Sequence, residues 1–304
     1  MARRKKSTIN EIQELSINEV GLKDDNLGNF FDESHGLMMN AKAYLEQLVF
    51  GVPRRASENR IIYVRQGGAR VKINFVSYEL RKGDLLLIPS NYIVLIEAYS
   101  NDVEPWLLDF NYNTSEEKEM VGIETIYLNL TDNEIDVVEH YFSLLYQIDT
   151  SPARTNEDLM HLIMSMLYYV HQMNEVRMGR QTWHKVPRAK KLKAEFVNMV
   201  VTQDTPQLTI SEYAKALNVS ENYLSIIIKQ ETHQTVKKWI EQKTETQIKM
   251  LLAEPQGRTL AEISEIVGYS SPPQVVRFFK RRTGITPYEF RKMVMKEMLR
   301  LKKK

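Results

Sequence analysis

The 304-residue sequence predicts an α+β chain: an N-terminal β-sandwich or barrel followed by helices, then an all-α domain of two helix-turn-helix units joined by a central helix. Three observations predict it. Period-two alternation punctuated by turn residues fills much of the first third. Amphipathic helical stripes follow. The last third then repeats itself. Thr209, Glu212, Leu217 and Ser220 recur as Thr259, Glu262, Val267 and Ser270 at an offset of 50. Leu224, Ile228, Lys229, Thr232 and Thr235 recur as Val275, Phe279, Lys280, Thr283 and Thr286 at an offset of 51, so the second copy has one extra residue at its turn.

The expected domains are 1–180, with its β region at about 40–115 and its helices at about 131–178, a linker at 181–187, and 188–304. Residues up to about Asn40 are weakly patterned. Val71, Ile73 and Phe75 alternate with Arg70, Lys72 and Asn74, the mark of a half-buried strand. Gly67-Gly68 and Lys82-Gly83-Asp84 read as turns. Leu85–Ile88 and Ile93–Ile96 are short apolar runs, and Trp106–Tyr112 reads as another strand. Many short strands at this spacing suggest a small sandwich or barrel.

Thr131 and Glu134 form a capping box. Ile135, Val138, Phe142 and Leu145 follow at helical spacing, and Pro152 interrupts. Asn156 is placed to cap a second helix with the stripe Leu159, Leu162, Ile163, Met166, Leu167, Val170 and Met173. Such a stripe belongs to an intramolecular core or a twin subunit, and a homodimer through these helices is expected. Lys190–Val201 begins the last domain with another amphipathic helix. Thr235–Leu252 links the two copies, and residues after about Met295 read as a basic tail.

Charge is divided along the chain. From Val186 onward there are 22 Lys/Arg and 12 Asp/Glu, a net +10; before it there are 19 and 27, a net −8. A basic third joined to an acidic remainder points to a polyanion partner at one end only. Double-stranded DNA fits a paired helix-turn-helix. In the first copy Leu224, Ile227 and Ile228 form the packed face. Asn222, Ser225 and Ile226 become candidate base readers, with Ser220 and Lys229 for phosphate. Ile226 either touches a thymine methyl or packs on the neighbouring helix. In the second copy Val275, Phe278 and Phe279 pack, Gln274 and Arg277 are candidate base readers, and Ser271, Lys280 and Arg281 face phosphate. The central helix, about 16 residues at ~1.5 Å each, is long enough to set the two recognition helices in successive major grooves.

Gly268-Tyr269-Ser270, Arg277-Phe278-Phe279-Lys280, Gly284-Ile285-Thr286-Pro287 and Phe290-Arg291 closely resemble the signature of AraC/XylS-type transcription regulators. Ala214, Ser220 and Tyr223-Leu224-Ser225 extend the resemblance to the first copy, over about a hundred residues in all. The sequence departs from the family at Ile226, where arginine is common, at Ile228, where phenylalanine is common, and at Pro272-Pro273, where polar residues are usual. Gly83-Asp84 followed by Leu-Leu-Leu-Ile-Pro is similar to a fragment of the cupin-type sensor domains joined to many such regulators. The resemblance implies a cytoplasmic, sequence-specific regulator, an activator, with RNA polymerase and a small-molecule effector as candidate further partners. The alternative is a regulator whose N-terminal domain is a protein-interaction module with no effector.

Other classes are disfavoured. With no cysteine there is no disulfide, thiolate metal site or Cys nucleophile, which fits a reducing compartment. None of the six histidines lies between Ile61 and Tyr112, so the metal site of a cupin enzyme is not expected there. No catalytic residue and no cofactor is expected. MARRKKSTINEIQEL lacks an apolar h-region, and its Arg3–Lys6 run reads as a frayed terminus. No stretch approaches the length of a membrane span.

Overall fold

The computed structural model describes residues 35–38, 41, 42, 45, 48, 49, 51–111, 124–149, 151, 155–179, 188–202, 208–255 and 257–301. The expected linker at 181–187, Pro152 and the basic N-terminus lie outside them. Among the described residues the strands are β1 (His35–Met38), β2 (Arg54–Arg55), β3 (Asn59–Gln66), β4 (Gly68–Ile73), β5 (Val76–Arg81), β6 (Asp84–Ile88), β7 (Ile93–Tyr99), β8 (Glu104–Phe110) and β9 (Ile126–Asn129). They form two antiparallel sheets, ordered β1-β8-β3-β6-β9 and β2-β7-β4-β5. Two of these strands, β1 and β9, fall outside the expected β region.

β6 explains why its sequence is an unbroken apolar run. The five-stranded sheet is covered on both faces, so neither parity of side chain meets water. Leu85 and Leu87 pack outward with Tyr63, Trp106, Val138, Phe142 and Met166. Leu86 and Ile88 point into the sandwich with Val64, Val71, Leu80 and Tyr99. Asp84, 1% exposed, ties the preceding turn to β9: it accepts from Arg81 N at 2.7 Å, Asn129 Nδ2 at 2.8 Å and Tyr127 OH at 3.1 Å. Inside the sandwich, Arg60 donates to both oxygens of its cross-strand partner Asp109 at 2.5 Å, the bidentate pairing a buried charge requires.

The outward layer is α1 (Asp132–Asp149) and α2 (Asn156–Arg177). α1 starts from the expected box, with Thr131 N donating to Glu134 at 2.7 Å. The cap of α2 is Thr155, whose hydroxyl accepts from Asp158 N; Asn156 is the first helical residue. The stripe Leu159, Ile163, Met166, Leu167, Val170 and Met173 is buried within this chain, against the sheet and α1.

The last third is helical: α3 (Arg188–Thr202), α4 (Ile210–Ala216), α5 (Glu221–Thr232), α6 (Val236–Leu252), α7 (Leu260–Ile266), α8 (Pro272–Thr283) and α9 (Pro287–Leu301). The expected basic tail after Met295 is instead the end of α9. Val294 and Leu301, two turns apart, complete its apolar stripe and are 4% and 5% exposed.

The alternation read through Phe75 also breaks earlier than expected. β4 ends at Ile73, and Asn74 and Phe75 form a two-residue hairpin with φ of 43° and 70°. Two consecutive left-handed residues are what a twisted hairpin favours, and a bulky residue rarely accepts that conformation. Asn74 holds the turn, its Oδ1 accepting from Ile93 N at 2.8 Å. Phe75 then projects into the helical core and packs edge-on against Trp239, ring centroids 5.6 Å apart.

Candidate nucleic-acid interface

The sequence repeat is also a repeat of hydrogen bonds. α4 and α7 each begin with a capping box, Thr209–Glu212 and Thr259–Glu262, and each runs seven residues. In each box the Thr backbone N–H and hydroxyl hold the Glu carboxyl below its usual range. The turns then close alike: Val219 N donates to Ala214 O at 3.0 Å, and Tyr269 N to Ser264 O at 2.8 Å. Both turns need a left-handed residue at the same place, filled by Asn218 at φ 54° and Gly268 at φ 76°. The recognition helices α5 and α8 are each 12 residues long. They end alike too: Thr232 and Thr283 return their hydroxyls to Ile228 O and Phe279 O, before His233 and Gly284 in left-handed conformations. The extra residue of the second copy sits in its turn, so Ser271 occupies the N-cap position of α8 as Ser220 does that of α5.

The faces divide as the periodicity predicts. Leu224, Ile227 and Ile228 are buried in the first unit, and Val275, Phe278 and Phe279 in the second. Asn222, Ile226, Lys229, Arg277, Lys280 and Arg281 are exposed; Ser225, Gln274 and Ser271 are partly so. Ile226 is 45% exposed and is therefore not seated in the helix packing. Ser220 accepts from Tyr223 N at 3.2 Å, which leaves its O–H able to donate outward. Ser271 makes no side-chain cap bond, and Pro272-Pro273 enter the first turn, where no intrahelical N–H is lost.

Three features escaped sequence reasoning. Tyr223, 38% exposed, stands on the open side of α5 beside Asn222 and Ile226. The signal was present, since its neighbour Leu224 already fixed the helix phase. Arg282 does not point outward like the two basic residues before it; it bonds Glu245 of α6 at 3.0 Å and approaches Glu241 at 3.5 Å. The second unit is thereby clamped to the central helix. The contact between the sandwich and the first unit had no one-dimensional signal. Besides Phe75 on Trp239, Arg55 donates to Val201 O at the end of α3 (2.7 Å), and Lys193 pairs with Glu124 at 2.9 Å.

The sandwich interior opens toward the second unit. A cavity of about 430 Å³ is walled by Val64, Val71, Leu80 and Ile96, with Met250 of α6 and Met298 of α9 lining its side toward the second unit. Its lining is mainly apolar. No group of three or more His, Cys, Asp or Glu able to hold a metal ion occurs among the described residues. Among them, too, no helix is long and apolar enough to cross a membrane.

Comparison with known proteins bears on the same segment. Residues 213–293 match the family model described as "Helix-turn-helix domain". The Msm operon regulatory protein of Streptococcus mutans is 23% identical over 248 residues, covering 78% of this chain and 85% of that protein. The "Uncharacterized HTH-type transcriptional regulator YdiP" of Escherichia coli is 22% identical over 244 residues, covering 78% and 79%. Among solved structures, ToxT of Vibrio cholerae aligns over 86% of this chain and 99% of that one, with a TM-score of 0.44 and 11% identity. The C-terminal domain of the response regulator yesN from Fusobacterium nucleatum covers 34% of this chain and 99% of its own, at 28% identity and a TM-score of 0.31.

Proposed function

We propose that this chain, a DNA-binding transcription regulator with a helix-turn-helix domain of the AraC type, lays α5 and α8 into successive major grooves on one face of the duplex. The observation that carries this is the pair of matched units, each presenting an open helix face, joined by one rigid rod. α6 has 17 residues, roughly 25 Å at ~1.5 Å each. With helix widths added, that reaches toward the ~34 Å between grooves. Asn222, Ser225, Ile226, Gln274 and Arg277 read bases; Ser220, Lys229, Ser271, Lys280 and Arg281 meet phosphate. Selection of bound duplexes from a randomised pool tests this. Two conserved blocks about one helical turn apart are expected; a single block would refute two-groove reading.

The division of labour follows the domains. Residues 188–304 bind DNA, and residues 1–180 sense and dimerise in the cytoplasm. The apolar cavity favours a small-molecule effector over the effector-free interaction module, because it would bring an occupant against both the sandwich and helices α6 and α9. A homodimer uses what α1 and α2 leave uncovered, including Leu144 at 45%, Tyr168 at 54% and Val176 at 72% exposure. The regulator acts as an activator through RNA polymerase. A ligand screen by thermal shift, sedimentation of the full chain, and transcription in vitro with and without polymerase-contact variants test these three parts in turn.

A further inference from the structure

We infer that the two recognition helices do different work: α8, besides the base contacts of Gln274 and Arg277, supplies most of the charge that holds the duplex, and α5 selects thymine-rich sequence through apolar and amide contacts of Tyr223, Ile226 and Asn222. This rests on the proposed function and goes beyond it.

The structural units match, but their chemistry does not. α8 carries Arg277, Lys280, Arg281 and Arg282 and no acid. With Arg282 spent on α6, three cations remain exposed. α5 carries Lys229 between Glu221 and Glu231, so it supplies no net attraction to phosphate. What it supplies instead is apolar surface. Tyr223 and Ile226 are 38% and 45% exposed, whereas no large hydrophobic of α8 is.

Those side chains converge. At ~100° per residue, Asn222, Ile226 and Tyr223 fall within a wedge of about 100°, opposite the buried Leu224 and Ile228. Leaving apolar surface in water on a helix meant for a polar groove is unfavourable unless the groove offers an apolar partner. The floor of the major groove has one such group, the C5-methyl of thymine. Asparagine adds the matching amide, which pairs bidentately with adenine. T·A-rich sequence satisfies all three side chains; G·C-rich sequence satisfies none of the apolar ones.

The test uses the full chain and duplexes selected from a randomised pool. The half-site of α5 is the one whose selected sequence changes in Asn222→Ala. Replacing thymine by deoxyuracil there removes only the methyl groups, and affinity should fall about fourfold for each one contacted. The same replacement in the other half-site should change affinity less than twofold. Ile226→Ala should become indifferent to deoxyuracil at one position while keeping the wild-type melting midpoint. Lys280→Ala and Arg281→Ala should each lower the slope of log K against log salt by about one, and Tyr223→Ala should not. A G·C-rich α5 half-site, or deoxyuracil without effect in it, overturns the division of labour while leaving DNA binding intact. A chain that retains no duplex at all overturns the proposed function itself.

Discussion

Replacing Phe75 should reveal two opposed energies at one residue. Its ring is 7% exposed and packs on Trp239. Truncating such a ring to alanine costs about 3–5 kcal/mol, including about 0.5–1.5 kcal/mol from the aromatic pairing. The backbone pulls the other way. At φ 70° a residue with a Cβ pays on the order of 1–2 kcal/mol, which Phe75→Ala keeps and Phe75→Gly relieves. Elsewhere glycine is the less stable of the two by ~0.5–1 kcal/mol; here the order should invert, with glycine the milder change by about 1 kcal/mol. Urea melts of the full chain, followed by tryptophan emission and by far-ultraviolet circular dichroism, read both effects. The ring contact joins the sandwich to the helical core, so both variants should also separate the two probes' midpoints as the halves unfold independently. Alanine equal to or better than glycine would refute the strained turn. Both variants within 0.5 kcal/mol of wild type would refute the interdomain role.

A fragment from about residue 188 to the end should fold and bind DNA with strong salt dependence, because among the described residues only Phe75 and Ile93 of its first core come from the sandwich; its Trp239 emission should shift to the red, and a soluble helical fragment with no affinity at low salt would contradict this. Thr259→Ala removes one capping box and should cost about 1 kcal/mol by thermal melt, with Thr209→Ala similar. The lowered carboxyls of Glu212 and Glu262, and of Glu289, which accepts from Thr286 N and its hydroxyl at the start of α9, stabilise at neutral pH, and that contribution should fade as pH falls through their lowered range. Burial pushes His171 down to about 4 from an ordinary 6.5, so its neutral form favours folding above pH 6.5 and up to about 3 kcal/mol is lost as pH falls toward 4; His171→Gln should flatten that part of a pH–stability profile. Elemental analysis of purified protein should find no stoichiometric transition metal, and chelator should leave DNA binding unchanged.

What could be read beforehand was local. Thr-x-x-Glu announces a cap from four adjacent residues, and 3.6-residue spacing assigns Leu224 and Phe279 to the core without knowledge of what lies beneath them. β6 was legible as a strand, although its two-faced burial depends on α1 and α2, far along the chain. The failures share a cause. Phe75 fits the alternation of β4, yet Asn74 ends the strand by bonding Ile93, a partner no periodicity names. The tail after Met295 looks basic when counted by charge, but Val294 and Leu301 carry the helix. Arg282 reads as one more surface cation until Glu245 is placed beside it.

The unlikeness of α5 and α8 has a geometric corollary. A dimer of identical recognition helices has a two-fold axis and binds palindromes, which look the same from either direction. One chain with two different helices in tandem has no such axis. With α5 and α8 bound as proposed, the footprint of one chain would be a sentence with a beginning and an end, so that its site would carry an arrow. Inverting such a single-chain site in place would keep every base contact, yet would turn the sandwich, its cavity and the exposed faces of α1 and α2 toward the opposite flank of the DNA.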